Sequence, residues 1–122
     1  MNFVGELDEF TFFETIEENK GIVMVFFTGP HCASCHHLKS LLDIEYKQFT
    51  EHFSKTASDF KAYEIKADKA TALVNKFGVF HLPSMYLYKK GEFHCELQAE
   101  AIPSKLIEAI DIALAQEPQE EP

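Results

Sequence analysis

Apolar residues fall at helical spacing near the start of the chain. Leu7, Phe10, Phe13 and Ile16, set among acids, predict an amphipathic helix over about 7–19. Asn19-Lys20-Gly21 reads as its stop. Ile22-Val23-Met24-Val25-Phe26-Phe27 is continuous and β-prone, the mark of a strand covered on both faces. Thr28-Gly29-Pro30 ends it as a turn. From about Cys32 to Phe53, Leu38, Leu41, Leu42, Tyr46 and Phe49 make the stripe of one long helix. Ser54–Asp59 is polar loop, and Phe60-Lys61-Ala62-Tyr63-Glu64-Ile65 alternates as a second strand.

A short helix follows over 69–77, closed by Gly78. Residues 84–88 and 93–97 flank Lys89-Lys90-Gly91-Glu92 as a hairpin. Pro103 opens a last helix to about Ala115, with Leu106, Ile107, Ile110 and Leu114 inward. The acidic stretch Glu117–Pro122 has no reason to fold, so the domain is expected over 1–116 with a disordered tail at 117–122. The first part is a βαβ unit, which implies a parallel pair with a right-handed crossover. The second is antiparallel. A mixed α/β sheet with helices on both faces follows.

At 122 residues the chain is one domain, and a hydrophobic fraction of 46% suffices for a real core. The net charge of −9 argues against a nucleic-acid partner, because phosphate binding needs a basic patch. No run approaches the roughly 18 apolar residues of a membrane span. The first residues carry acids and no basic n-region, so no secretory signal is read there and a cytoplasmic location is expected. Three cysteines are too few for a disulfide scaffold. They fit one working pair and one spare thiol, Cys95.

The pair lies in Gly29-Pro30-His31-Cys32-Ala33-Ser34-Cys35-His36-His37. Residues three apart share a helix face, so the two sulfurs can meet. A thiol in the first turn feels the positive end of the helix dipole, which favours thiolate, the reactive form in disulfide exchange.

A Cys-x-x-Cys at the strand-to-helix turn of a βαβ unit resembles the redox motif of the thioredoxin-like family. The stretch Phe77-Gly78-Val79-Phe80-His81-Leu82-Pro83-Ser84 through Gly91-Glu92 resembles, independently, the family's cis-proline segment with the strand and Lys/Gly turn after it. The resemblance runs from about residue 7 to 116. It implies the thioredoxin fold, with Cys32 as nucleophile and Cys35 as resolving thiol. Pro83 takes the place of the cis-proline, and Pro30, Leu82 and Pro83 are the expected substrate-docking residues. It also implies disulfide-containing protein substrates and a reductase as electron donor. No metal or organic cofactor is required.

The chain departs from the family pattern at several points. His31 stands where a tryptophan is usual, and Ala33-Ser34 where Gly-Pro is usual. Phe26 stands where a buried aspartate commonly serves the second cysteine, and Glu64 on the neighbouring strand is a substitute. Gln98-Ala99-Glu100-Ala101 lacks the docking-loop glycine, and the segment between Cys35 and Asp68 is several residues longer than usual. As imidazolium, His31 would stabilise the Cys32 thiolate and make the pair more oxidising. His36, His37 and His81 are read as secondary, and Cys95 as an inert packed thiol.

Two other readings compete. Zinc or Fe–S binding could use His31, Cys32, Cys35 and His36, although a zinc site wants four convergent ligands. Cys32-Ala33-Ser34-Cys35-His36 also matches the c-type haem pattern, which is rejected because the strand-to-helix turn and Pro83 match the redox fold instead. A non-catalytic interaction module would keep the fold without efficient chemistry. Phe26 and the missing glycine favour it, while both cysteines and Pro83 oppose it.

Overall fold

The computed structural model describes residues 2–56 and 58–122. Its centre is a five-stranded sheet in the order β1-β3-β2-β4-β5, built from β1 (Gly5–Glu6), β2 (Ile22–Thr28), β3 (Phe60–Lys66), β4 (Ser84–Lys89) and β5 (Glu92–Leu97). Strands β1, β3 and β2 are mutually parallel, β4 runs antiparallel to β2, and β5 runs antiparallel to β4. This is the expected mixed α/β sheet.

The uninterrupted apolar run of β2 has its explanation in the layers. Met24 and Phe26 face a core formed with α2 (Ala33–Ile44), α3 (Tyr46–Ser54) and α5 (Pro103–Leu114). Val23, Val25 and Phe27 face the opposite core, with α1 (Phe12–Glu18) and α4 (Thr71–Phe77). All seven residues of β2 are buried, so no position can be polar without a partner. The hairpin turn at Lys90-Gly91 has positive φ at both residues, the geometry whose twist matches paired antiparallel strands. Gly78 closes α4 in the left-handed conformation, as the glycine after that helical pattern predicts.

Three expectations need correction. The first helix begins at Phe12, because Asp8 Oδ1 accepts the backbone N–H groups of Phe10 and Thr11 (each 2.9 Å) and holds a turn before it. Leu7 is not helical; its N–H donates to Glu64 O at 2.9 Å, continuing β1 alongside β3. That strand, only two residues long, has no alternation to betray it. The long helix is two helices with a break at Glu45 (φ −100, ψ 17). The break falls where the apolar stripe is interrupted by that exposed glutamate, and Tyr46 turns to stack on Phe3 at 5.3 Å. Beyond it, Phe49 and Phe53 stack on Phe60.

Residues 117–122, expected to stay free, form no helix or strand but lie against the outer edge of β5. The Gln119 N–H donates to His94 O at 2.7 Å, and the Glu96 N–H donates to Gln119 Oε1 at 3.1 Å.

Candidate active site

Strand β2 ends at Thr28, and the chain turns through Gly29-Pro30-His31 into α2. Cys32 is the N-cap of that helix. Its extended backbone leaves Sγ over the first turn, where it accepts the Cys35 N–H at 3.2 Å. Ser34 Oγ lies 3.4 Å from the same sulfur and is the only one of the two able to donate when Cys32 is oxidised. Cys32 and Cys35 form a disulfide across 5.2 Å between their Cα atoms. Cys32 is half-buried, whereas Cys35 is 2% exposed. Cys32 is therefore the more accessible of the two sulfurs.

The proline loop reaches the same place by sheet register. Phe27 of β2 pairs with Ser84 of β4, so Pro83 lies beside the end of β2 from which the cysteine turn departs. The Leu82–Pro83 peptide is cis. Ser84 Oγ donates to His81 O at 2.7 Å and holds this turn. A side chain on Gly29 would meet Leu82 Cδ1 at 2.8 Å, so the two loops lie against each other. Pro30, His31 and Leu82 are exposed and Pro83 half-buried, forming one rim around Cys32. Phe80, three residues before Pro83, is 90% exposed.

The histidines separate. His31 is exposed beside Cys32, and His36 is exposed in the first turn of α2. His37 Nε2 lies 3.0 Å from Ala101 O, a group that only accepts, so that nitrogen donates. This bond ties the Gln98–Ala101 loop to the start of α2. His81 packs edge-on against Phe80, away from either sulfur's hydrogen bonds. Among the described residues no group of three or more His, Cys, Asp or Glu side chains converges on a metal position. His31, Cys32, Cys35 and His36 are thus neighbours in sequence without forming a ligand set, because the helix turns them to different directions and the sulfurs bind each other.

Phe26 is fully buried in the core on the α2 side. The ionisable group beneath α2 is Glu64, its register partner on β3, which is 7% exposed. Glu64 Oε2 accepts the Thr28 hydroxyl at 2.7 Å, and Oε1 pairs with Lys39 Nζ at 3.3 Å. Lys39 is one turn beyond Cys35 on α2, so Glu64 lies under the helix face that carries Cys35. The sequence reading named Glu64 but missed Lys39 and Thr28. The i to i+4 spacing of Cys35 and Lys39 was the available signal. Ser34 was also missed, hidden as a mere departure from Gly-Pro. Cys95 is buried opposite Leu87, and burial together with neighbouring Glu96 pushes its thiol pKa up, which suits a packing role.

The sequence matches the thioredoxin family over residues 3–112. The chain belongs to that family. Thioredoxin M4, chloroplastic, of Arabidopsis thaliana is 30% identical over 70 residues, covering 57% of this chain and 33% of that protein. Protein disulfide-isomerase A4 of Mus musculus is 27% identical over 79 residues, covering 65% of this chain and 12% of that protein. The chain thus spans a third or less of the length of these relatives. Among solved structures, the zinc-bound form of human ERp44 superposes with a TM-score of 0.75 at 14% identity, over 89% of this chain and 30% of that one. At that identity the likeness establishes the thioredoxin fold and nothing finer.

Proposed function

We propose that this chain is a thiol–disulfide oxidoreductase that exchanges disulfides with protein substrates through Cys32 and Cys35. The observation that carries this reading is the bonded pair itself: one half-buried sulfur at a helix N-cap, one buried sulfur behind it, under a rim that includes Pro83. In the dithiol form the Cys32 thiolate attacks one sulfur of a substrate disulfide. The substrate S–S bond breaks, the departing sulfur takes a proton, and a mixed disulfide joins Cys32 to the other substrate sulfur. Cys35, as thiolate, then attacks Cys32 Sγ. The mixed disulfide breaks, the substrate leaves as a dithiol, and the Cys32–Cys35 bond holds the two electrons' worth of oxidation. A reductase partner would return the pair to dithiol.

Each part has a stated support. The Cys35 N–H and Ser34 hydroxyl at Cys32 Sγ stabilise negative charge on that sulfur. Pro30, His31, Leu82 and Pro83 offer an extended substrate chain a surface beside it. Glu64 is the acid on the Cys35 face, in the role that Phe26 cannot take. Family membership supports the chemistry in general, while substrate and electron donor belong to this proposal.

Reduction of insulin disulfides by dithiothreitol tests the reading. The wild-type chain accelerates precipitation of the insulin B chain, Cys32→Ser abolishes the effect, and Cys35→Ser accumulates a mixed disulfide. Absence of any acceleration by the wild-type chain would leave the non-catalytic module as the better account.

A further inference from the structure

The connection from β5 to α5, residues 98–101, contains no glycine, and its course follows from the sheet. Leu97 pairs with Met85 at the end of the β4–β5 ladder, so Gln98 leaves the strand beside Ser84, the residue after Pro83. Neighbouring strands lie about 5 Å apart, which starts this loop next to the cis-proline turn. Three residues later Ala101 O lies 3.0 Å from Nε2 of His37, two residues beyond Cys35 near the start of α2. The loop therefore runs from one element flanking the disulfide to the other.

Little else holds it in place. Ala99 and Ala101 pack against the core on the α2 side, while Gln98 and Glu100 are exposed. The Ile102 N–H donates to Glu100 O at 2.8 Å, a bond within the same turn. Ala101 precedes the N-cap Ile102, so α5 supplies its carbonyl with no N–H. Among the described residues, the bond from His37 is the only side-chain hydrogen bond made to residues 98–101. The hydrogen bonds at Cys32 Sγ come from Cys35 and Ser34, so His37 reaches the site through the loop and not through the sulfur.

We propose, on the oxidoreductase reading above, that His37 is a positioning residue for protein substrates, fixing the 98–101 loop as a further wall of the docking rim beside Pro83. The wall is held at both ends, by the strand ladder before Gln98 and by the histidine at Ala101. It is thus ordered before a substrate chain arrives, and no cost of ordering it opposes binding. A small disulfide that reaches Cys32 without touching the loop gains nothing from this. A histidine acting electrostatically on the Cys32 thiolate would alter attack on large and small disulfides alike.

Two variants of the full chain test the role. His37→Leu keeps a helix-compatible side chain without the donor, and His37→Gln offers an amide N–H to Ala101 O in place of the ring N–H. The measurements are KM and kcat for insulin reduction, the rate toward hydroxyethyl disulfide, and amide hydrogen exchange over 98–101. H37L should raise the insulin KM about three- to tenfold, the range one neutral hydrogen bond covers. It should leave kcat and the hydroxyethyl disulfide rate at the wild-type level and speed exchange in the loop. H37Q should restore all of these. An unchanged KM in H37L, equal slowing toward both disulfides, unmoved loop exchange, or H37Q behaving as H37L would each overturn the role. A wild-type chain inert toward both disulfides would overturn the oxidoreductase reading and the substrate role with it. Failure of His37 alone is recognised by an active wild type that H37L equals.

Discussion

Replacing Glu64 isolates a buried acid that is held between β2 and α2 by Thr28 and Lys39. The carboxylate makes two interactions, a 2.7 Å bond from the Thr28 hydroxyl and a 3.3 Å pair with Lys39. Glu64→Gln keeps the shape and can still accept from Thr28, but the bond changes from charge-assisted to neutral. That difference is about 1 kcal/mol. The Lys39 side chain is 35% exposed, so on losing its partner it turns to water, and its share is held to about 1 kcal/mol or less. The expected loss for E64Q is therefore about 1–2 kcal/mol, or roughly 3–8 °C in melting temperature for a domain of this size.

Glu64→Leu should cost more, because it leaves the Thr28 hydroxyl, 3% exposed, with no acceptor. An orphaned buried hydroxyl costs about 1–3 kcal/mol. Adding Thr28→Val to E64L removes the orphan, so the double variant should be more stable than E64L alone. Urea unfolding followed by circular dichroism gives the full cycle. A second readout concerns chemistry: if Glu64 serves Cys35, E64Q slows release of the mixed disulfide with substrate, while the first attack by Cys32 keeps its rate. E64Q as stable as wild type would refute the structural argument. Unchanged release kinetics in a destabilised E64Q would confine Glu64 to a packing role.

Four further outcomes follow from other parts of the molecule. The reduction potential of the Cys32–Cys35 pair should lie above the roughly −270 mV of thioredoxin, because groups that stabilise the Cys32 thiolate stabilise the reduced form. His31→Trp should raise the Cys32 pKa if the imidazole stabilises the thiolate; glutathione equilibration and thiolate absorbance check the two, and an unchanged titration in H31W removes His31 from the account. Cys95 should resist a thiol reagent such as DTNB at pH 8 in the native, oxidised chain and react on unfolding, since burial raises its pKa and blocks access; fast native labelling would contradict this. Burial also raises the pKa values of Tyr86 and Tyr88 above the ordinary 10.0. The folded state thus holds phenolic protons that the unfolded state has released, so stability should be intact below about pH 10 and fall as pH climbs above it, with absorbance near 295 nm reporting fewer than four ionised tyrosines before unfolding.

What the sequence disclosed follows from how far each signal reaches along the chain. The strand at 22–28 and the cysteine turn were legible because local rules decide them: a run buried on both faces, a glycine-proline turn, an N-cap position. Strand β1 was not, because two residues carry no period and its existence depends on Tyr63 and Glu64, almost sixty residues away. The break at Glu45 also depends on distant partners. A periodic stripe from Leu38 to Phe53 is compatible with one straight helix, and only the positions of Phe3 and Phe60 show why the chain bends. At the site, Cys32 and Cys35 were identifiable from spacing, whereas the Gly29–Leu82 contact and the Thr28–Glu64–Lys39 group needed the sheet register to bring β2, β3 and β4 into line.

That register also explains why Glu64 can stand on β3 rather than β2. Phe26 and Glu64 are paired across parallel strands, so both side chains point toward the same face and meet the same helix. An acid at either position would lie beneath α2. The chain fills the β2 position with a phenyl ring that belongs to the core of Leu38, Leu42 and Leu106, and moves the charge one strand outward. There Lys39 descends from the helix to meet it, and Thr28 supplies a donor from the last residue of β2. The exchange trades an isolated buried acid for one that is paired and hydrogen-bonded, the condition under which a charge survives in an interior. It also places a lysine between the acid and solvent, so any proton moving between Cys35 and water by way of Glu64 has to pass a positive charge, and Lys39→Met should speed that passage if Glu64 serves Cys35, the opposite of the effect expected for E64Q.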